Sequence, residues 1–386
     1  MEKELELYIH IPFCIRKCAY CDFLSGQRNA EEIENYVEAL ISEIKTYQAL
    51  SLNEIVRTVF LGGGTPSILS GGQMERIFQA LRETFDISET AEITVEANPG
   101  TVTYEKLTAY RNVGINRISF GLQSANDEEL KRLGRIHTFE EFLESYKMAR
   151  ACGFQNINVD LISAIPKQTT EQFEQSLKKI TELQPEHISV YSLIIEEGTP
   201  FAKLYGEGAP LEKDLPSEEE ERLIYRKTKE FLEKQGYHRY EISNYAKEGL
   251  ECRHNLGYWE RKNYLGLGLG ASSLMENVRY HNTEDWKEYI ANAKNLQQIQ
   301  KDVETLTVEE QMEEFVFLGL RKMQGISEQK FQEVFQKSIW ECYGENIRKV
   351  MEKGLLDERD GNLYLTEKGI DISNYVFAEI LCKLEN

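Results

Sequence analysis

Short apolar, β-branched segments alternate with longer amphipathic segments along the first half of the chain. The pattern predicts strands at about Leu5–Ile11, Ile55–Leu61, Ala91–Glu96, Ile115–Phe120, Asn156–Ile162 and His187–Leu193. It predicts helices near Ala30–Leu50, Gly71–Phe85, Thr103–Asn112, Phe139–Cys152 and Thr170–Leu183. Because no hairpin turn separates successive strands, we expect a parallel sheet. Six such units are fewer than the eight of a closed barrel, so the predicted class is α/β with a partial (β/α)6 barrel.

Polar motifs follow the predicted strands at the ends where barrel enzymes carry their sites. A loop with three cysteines follows the first strand, and the run G-G-G-T-P follows the second. Glu96 ends the third strand, Gln123 follows the fourth, and Asp160 lies on the fifth. We therefore expect one site at the carboxyl edge of the sheet.

The pattern changes after the sixth strand, and we predict three regions, namely a barrel at 1–200, an extension at 201–300 and a separate unit at 301–386. In the last region, helices are predicted near Thr307–Met323, Ser327–Phe335 and Tyr343–Lys353, before a hairpin with an Asp-Gly turn. This order is typical of a winged-helix unit, for which DNA binding is the usual expectation. With 18 acidic and 11 basic residues the region has a net charge of −7, so we favour an interaction or lid domain.

Composition narrows the class of protein. A length of 386 residues suggests two or three domains, and a net charge of −20 argues against nucleic-acid partners, which require a basic face. The apolar runs are too short to span a bilayer and the N-terminus has no export signal, so we expect a cytoplasmic protein with at most peripheral membrane association. Because thiols stay reduced in the cytoplasm, clustered cysteines indicate metal binding or catalysis rather than a disulfide.

Cys14, Cys18 and Cys21 form a C-x3-C-x2-C pattern directly after the first predicted strand. A structural zinc site needs four ligands. The other cysteines are widely scattered, at Cys152, Cys252, Cys342 and Cys382. A [4Fe–4S] cluster held by three thiolates would keep one iron open to a small molecule. The alternative is that the three cysteines are close together by chance. Their position on a loop at the predicted site disfavours this alternative.

The run C-I-R-K-C-A-Y-C resembles the cluster motif of the radical S-adenosylmethionine (SAM) superfamily. The resemblance implies a [4Fe–4S] cluster whose open iron binds the amino and carboxylate groups of SAM, and whose electron cleaves SAM to a 5′-deoxyadenosyl radical. The run G-G-G-T-P is similar to a glycine-rich motif of the superfamily. Its glycines are expected to let the backbone approach SAM, so that exposed amides hydrogen-bond the methionine end. An ordinary strand-to-helix turn is the alternative.

Further motifs resemble the oxygen-independent coproporphyrinogen III oxidase family over nearly the whole chain, namely Y-I-H-I-P-F-C, F-L-G-G-G-T-P-S, E-A-N-P-G, S-F-G-L-Q-S and N-V-D-L-I. The resemblance implies that the SAM pocket is lined by Tyr8, Gly63, Gly64, Thr65, Glu96, Gln123, Arg135 and Asp160. A carboxylate such as Glu96 or Asp160 suits the ribose hydroxyls or the amino group, and Arg135 suits the methionine carboxylate. The alternatives are a surface charge for Arg135 and a satisfied inward-facing acid for Asp160.

Two departures separate this chain from the oxidases of that family. Only 13 residues precede Cys14, where the oxidases have a longer segment, and Phe23 stands at a position that is cysteine in them. The run C-R-H-N-L-G-Y-W at 252–259 instead resembles the heme-chaperone branch of the family. That resemblance implies a protein that binds heme and SAM and delivers heme to respiratory acceptor proteins.

The same run implies four heme contacts, Cys252, His254, Tyr258 and Trp259. His254 is the first choice of axial iron ligand and Cys252 the alternative, while the two aromatic side chains offer flat surfaces for the macrocycle. His10 and His281 compete for the ligand role, and a hydrogen-bonded structural corner is the other interpretation of His254. We therefore predict a heme chaperone. The alternatives are coproporphyrinogen III oxidase, a radical SAM enzyme that modifies or degrades heme, and an adaptor whose cluster only holds the fold.

Overall fold

Six parallel strands form the centre of the molecule, as the sequence predicts. The computed structural model describes residues 3–50 and 53–382. The strands are β1 (Glu4–Ile11), β2 (Ile55–Gly63), β3 (Asp86–Ala97), β4 (Arg117–Gln123), β5 (Asn156–Ser163) and β6 (His187–Ser192). They lie side by side in chain order, and each neighbouring pair is parallel. The predicted partial (β/α)6 barrel is confirmed.

Helices pack on the outer face of these strands. They are α1 (Ala30–Thr46), α2 (Gly71–Thr84), α3 (Tyr104–Asn112), α4 (Asp127–Leu133), α5 (Phe139–Ala151) and α6 (Thr170–Thr181). Four of them, α1, α2, α5 and α6, begin with a capping box, in which the cap residue and the third helical residue satisfy each other's backbone N–H. The predicted helices are present, and α4 is additional, because seven residues that begin with three acids show no clear apolar period.

The two faces of the strands differ in polarity. On β1, Leu7 and Ile9 are fully buried in the apolar core beneath the helices. The alternate residues Glu6, Tyr8 and His10 point into the barrel. The strand register places Glu6, Thr58 and Glu92 in one inner layer, and Glu96, Ser119 and Asn158 in a layer nearer the carboxyl ends. The barrel interior is therefore a stack of polar layers.

Residues 201–305 extend the same sheet at both edges. At one edge of the sheet β8 (Asn244–Ala246) pairs antiparallel with β6. On the other side of β8 the outermost strand is β7 (His238–Arg239), which also pairs antiparallel with it. At the other edge β9 (Tyr264–Leu267) pairs parallel with β1 and is followed by β10 (Ser272–Met275), β11 (Val278–Asn282) and β12 (Gln300–Thr305). The helices of this region are α7 (Pro200–Tyr205), α8 (Glu218–Lys234), α9 (Arg253–Trp259), α10 (Trp286–Asn292) and α11 (Leu296–Ile299). The region boundary that the sequence predicts at residue 200 therefore lies between two segments whose strands belong to one twelve-stranded sheet.

The C-terminal region has a core of its own, which includes Val316, Phe331 and Leu363. Its elements are α12 (Val308–Gly319), β13 (Ile326–Ser327), α13 (Glu328–Phe335), α14 (Ile339–Glu352), β14 (Leu356–Arg359), β15 (Asn362–Leu365), α15 (Glu367–Asp371) and α16 (Ser373–Leu381). Asp360 and Gly361 join β14 to β15 with φ of 54° and 75°, as expected for an Asp-Gly hairpin. This three-stranded sheet with its helices confirms the winged-helix-like unit. Within 3–50 and 53–382, no helix is long and apolar enough to cross a membrane.

Candidate cofactor site

The three clustered cysteines lie on a closed loop after β1. The Cys14 N–H donates to the Gly26 carbonyl at 3.0 Å and the Cys21 N–H to the Cys18 carbonyl at 3.3 Å, which holds the loop over the strand ends. All three thiols are half-buried and line a cavity of about 560 Å³. The Thr65 hydroxyl lies 3.7 Å from the Cys14 sulfur, and Arg135 Nη1 lies 3.4 Å from the Cys18 sulfur. These two donors face sulfurs that would carry negative charge as thiolates.

The three thiols share one cavity, with hydrogen-bond donors beside two of them. Among the residues that the structure describes, no three histidine, cysteine or acidic side chains converge as a ligand set for one metal ion. A cubane cluster differs from such a site, because each thiolate binds a different iron. Cys14, Cys18 and Cys21 are free thiols, so none of the three is committed to a disulfide. The loop therefore suits a [4Fe–4S] cluster with hydrogen-bond donors around its sulfurs.

The structure brings most of the predicted SAM residues to the same cavity. Beside the cysteines, the cavity is lined by Gly63, Gly64, Thr65, Glu96, Gln123, Arg135 and Asp160. Tyr8 is the exception, because it lines an adjoining cleft. The polar lining of the cavity also includes Asn98, Arg117, Ser119 and Asn158, to which the sequence analysis assigned no role. Arg117 and Ser119 on β4, like Asn158 and Asp160 on β5, alternate with apolar residues, and this period of two is the sequence signal that could have identified them.

The two predicted glycines serve packing within the protein. Gly63 has a φ of +106°, and a Cβ atom there would lie 2.4 Å from the His10 ring. A Cβ atom on Gly64 would lie 2.6 Å from the Phe13 carbonyl oxygen. The Gly63 N–H donates to Glu96 at 3.1 Å and the Gly64 N–H to the Ile11 carbonyl at 2.9 Å. The expectation that these amides are free for the methionine end of SAM is therefore corrected, since both already have acceptors.

Two acids, Glu96 on β3 and Asp160 on β5, face the cavity. Burial, reinforced by the nearby Asp160, raises the pKa of Glu96 to about 8. Burial also raises the pKa of Asp160, although hydrogen bonds from Ser119 at 2.9 Å and Asn158 at 2.8 Å favour its charged form. The buried guanidinium of Arg117 offsets part of this negative charge. Asp160 is thus held by neighbours, while Glu96 is poised to ionise when a cation approaches.

Arg135 is a structural part of the cavity wall and not a free surface charge. Its Nη2 donates to the Asn98 side chain and to the Gly121 carbonyl, each at 2.6 Å. Asn98 in turn donates to the Thr65 hydroxyl at 2.8 Å. These bonds connect the loop after β3 with the motif after β2 and the cluster loop. The Arg135 side chain also interacts with Tyr20, and its guanidinium lines the cavity.

The helix α9, which carries the H-N-x-x-Y-W run, fills the barrel interior beneath the cavity. His254 is about 1% exposed, and its Nδ1 lies 2.7 Å from the Thr58 hydroxyl. Its Nε2 lies 3.0 Å from the Tyr258 hydroxyl, and its ring stacks on Phe60, which lines the cavity. Burial lowers the pKa of His254 to about 3, so the ring is neutral. This geometry argues against the predicted role of His254 as heme ligand, because both ring nitrogens are engaged inside the barrel.

Cys252 is also enclosed, and one glutamate explains why. The Glu92 carboxylate accepts the backbone N–H of Arg253 at 3.1 Å and of His254 at 3.2 Å, so it caps α9 from β3. The Cys252 thiol lies 3.6 Å from the same carboxylate and is fully buried. Burial raises the pKa of this thiol to about 12, which disfavours a thiolate ligand. Cys252 thus contributes to the anchoring of α9, and its predicted alternative ligand role is not supported.

The other candidate histidines are engaged as well. His10 is buried, with Nδ1 at 3.0 Å from the Tyr8 hydroxyl and Nε2 at 2.9 Å from the Leu24 carbonyl. His281 lies on β11, with Nε2 at 3.0 Å from Asp302. None of the three predicted histidine ligands therefore presents an unoccupied nitrogen.

A second cleft, of about 600 Å³, adjoins the cluster cavity. Its aromatic lining consists of Tyr8, Phe23, Tyr258, Trp259, Tyr264 and Phe317. The side chains come from the barrel, from α9, from the added strands and from α12 of the C-terminal unit. Phe23, Gly63 and Glu96 line both the cleft and the cavity, so the two spaces share a boundary. The predicted heme contacts Tyr258 and Trp259 thus lie beside the predicted SAM site.

Comparisons with known proteins agree with this architecture. A family model of the radical SAM superfamily matches residues 8–180, and one of the HemN C-terminal domain matches residues 306–372. The solved structure of coproporphyrinogen III oxidase (HemN) from Escherichia coli is 25% identical, with a TM-score of 0.85 over 98% of this chain and 90% of that chain. Heme chaperone HemW of Lactococcus lactis is 37% identical over 99% of this chain and 98% of its own length. Heme chaperone HemW of Bacillus subtilis is 37% identical over 98% and 99% respectively. The chain therefore belongs to the HemW heme chaperone family within the radical SAM superfamily.

Proposed function

We propose that this protein is a heme chaperone that binds a [4Fe–4S] cluster, SAM and heme, and passes heme to respiratory acceptor proteins. Cys14, Cys18 and Cys21 would hold the cluster, whose open iron would bind SAM. The protein would act in the reducing cytoplasm, where Cys14, Cys18 and Cys21 would stay reduced and available as cluster ligands.

The cavity lining suggests a division of work for SAM binding. The Arg135 guanidinium, which lines the cavity, suits the methionine carboxylate and so supports the predicted role of this residue. Glu96, ionised by an approaching cation, suits the amino group, which is itself a donor and needs an acceptor. Asp160 and Gln123 line the same cavity and remain candidates for the ribose hydroxyls.

The aromatic cleft beside the SAM cavity is the observation that carries the heme proposal. Its volume of about 600 Å³ lies within the range of small-molecule sites, and its aromatic lining suits a flat macrocycle. Phe23 is 64% exposed at the boundary between cleft and cavity. It stands where the related oxidases are expected to have cysteine, and it adds an apolar surface at the place where a macrocycle would enter.

The test is a heme titration of the protein after anaerobic reconstitution of its cluster, followed by absorbance. We expect saturable binding of one heme, and about tenfold weaker binding by Trp259→Ala, which removes an aromatic wall. Tyr104→Ala is the matched control, because Tyr104 is 58% exposed and does not line the cleft. Transfer is tested by mixing the heme-loaded protein with a heme-free respiratory cytochrome. Absence of saturable heme binding would overturn the proposal.

Coproporphyrinogen III oxidase activity is the second candidate, favoured by the fold similarity to HemN. Incubation of the reconstituted protein with coproporphyrinogen III, SAM and a reductant tests it directly. Formation of protoporphyrinogen IX would make the protein an oxidase. Heme binding without porphyrinogen turnover is the result that we expect for a chaperone.

A further inference from the structure

One carboxylate bridges two arginines at the wall of the aromatic cleft. Glu314 accepts a hydrogen bond from Arg261 Nε at 2.8 Å and another from Arg279 Nη2 at 2.5 Å. Arg261 follows α9, Arg279 lies on β11, and Glu314 lies on α12 of the C-terminal unit. All three residues line the cleft. The bridge therefore connects the C-terminal unit to the sheet at the edge of the proposed heme site.

The arginine pair has binding capacity that Glu314 does not use. Arg261 also donates from Nη1 to Asn277 at 2.8 Å, whereas its buried Nη2 has no partner among the described residues. The Arg261 side chain is 11% exposed and the Glu314 side chain 8%, so their charges are largely removed from water. Two guanidinium groups facing one carboxylate leave local positive charge in a chain whose net charge is −20. Such a site favours a further anion.

We propose that Arg261 and Arg279 anchor the propionate edge of heme, and that Glu314 holds this anchor until the propionates replace it. The inference rests on the proposed function, in which the cleft receives heme. Guanidinium groups bind carboxylates in a bidentate manner, and heme carries its two carboxylates on one edge. Tyr258 and Trp259 line the same cleft and lie just before Arg261 in the chain. They would then face the apolar part of the macrocycle.

The arrangement couples heme binding to the contact between two parts of the protein. Glu314 belongs to the C-terminal unit, whereas both arginines belong to the sheet region. Propionates that take the arginines remove these ion pairs from α12. By reciprocity, any partner that pulls α12 away would change heme affinity by the same factor. The C-terminal unit would thereby act as the movable wall of the heme site.

The test compares iron-protoporphyrin IX with its dimethyl ester, which has the same macrocycle but no carboxylates, in absorbance titrations of the reconstituted full-length protein. We expect the ester to bind about tenfold more weakly or worse, as for the loss of a charged hydrogen bond. Arg279→Gln should reduce the difference between the two ligands, because only Arg261 then remains to bind the propionates. Arg76→Gln is the matched control, because Arg76 is also 40% exposed and also pairs with glutamates, Glu34 and Glu38, outside the cleft. The control should keep the full difference.

Each outcome decides between the two proposals. Tight and equal binding of both ligands by the natural protein would overturn the anchor and leave the heme chaperone function intact. No binding of either ligand would overturn the chaperone function, and the anchor with it. A difference that is not reduced in Arg279→Gln, or that is reduced in Arg76→Gln, would place the carboxylate contact elsewhere and overturn the anchor.

Glu314→Gln provides a test with the opposite sign. If Glu314 competes with the propionates, its neutralisation should strengthen binding of iron-protoporphyrin IX several-fold and leave binding of the dimethyl ester nearly unchanged. If Glu314 only holds the C-terminal unit in place, both ligands should bind more weakly, which would overturn the competition.

Discussion

The Nδ1 atom of His254 lies 2.7 Å from the hydroxyl oxygen of Thr58, inside the barrel and beneath the predicted SAM cavity. This contact makes the histidine of the H-N-x-x-Y-W run a packing element between α9 and β2. Because the ring also stacks on Phe60, it supports the floor of the cavity from below.

His254→Ala is expected to destabilise the protein by about 2–4 kcal/mol, since it leaves a cavity and an unpaired Thr58 hydroxyl. Thr58→Val should act in the same direction by about 1–2 kcal/mol, because it leaves Nδ1 without a partner. Both should lower the midpoint of thermal unfolding, and neither should move the Soret band of bound heme. A Soret shift in His254→Ala that Thr58→Val does not reproduce would show that His254 is the iron ligand after all.

Glu92→Gln is expected to weaken the cap of α9. The loss of the carboxylate charge at two backbone N–H groups should cost about 1–2 kcal/mol, visible as a lower midpoint of thermal unfolding. Glu89→Gln is the control, because Glu89 is an exposed residue of the same strand. An equal effect of the two substitutions would exclude the capping role.

SAM affinity should depend on pH through Glu96. The pKa of this acid is about 8 before a ligand binds, so most of it is protonated at pH 7. The cationic groups of SAM favour the carboxylate form, and their binding must therefore release a proton. Affinity measured by equilibrium dialysis should fall as the pH falls from 8.5 to 6.5, by up to about tenfold per unit.

Glu96→Gln distinguishes the titration of Glu96 from the titration of SAM. The titration of SAM affects its affinity for the natural protein and for the variant equally. The variant should bind SAM more weakly at pH 8.5 and show a flatter pH profile. Parallel profiles for the two proteins would contradict the assignment of the proton to Glu96.

Cys18→Ala is expected to lose most of the iron and sulfide after anaerobic reconstitution, because two thiolates cannot hold a cubane cluster in place. Cys342→Ala serves as the control, since Cys342 is a half-buried thiol of the C-terminal unit. Iron and sulfide are measured by chemical analysis and the cluster by its absorbance. Full iron content in Cys18→Ala would refute the assignment of the cluster to this loop.

The sequence by itself determined the six parallel strands, the loop with three cysteines and most of the lining of the cavity beside it, for which SAM binding stays a prediction. These features depend on local patterns, because a period of two and a strand-end motif are encoded by neighbouring residues. Parallel strands then bring their carboxyl ends together whatever the details of packing. Glu96, Gln123 and Asp160 therefore meet at one cavity although they are far apart in the chain.

Only the tertiary structure decided the surroundings of α9. The H-N-x-x-Y-W run reads equally well as a ligand motif or as a buried corner, because the partners of His254 are a strand hydroxyl and an aromatic ring almost 200 positions earlier. The same holds for the pairing of Arg261 and Arg279 with Glu314, which three separate elements bring together. Long-range packing fixes which polar atoms are satisfied and which remain free, and no local period carries that information.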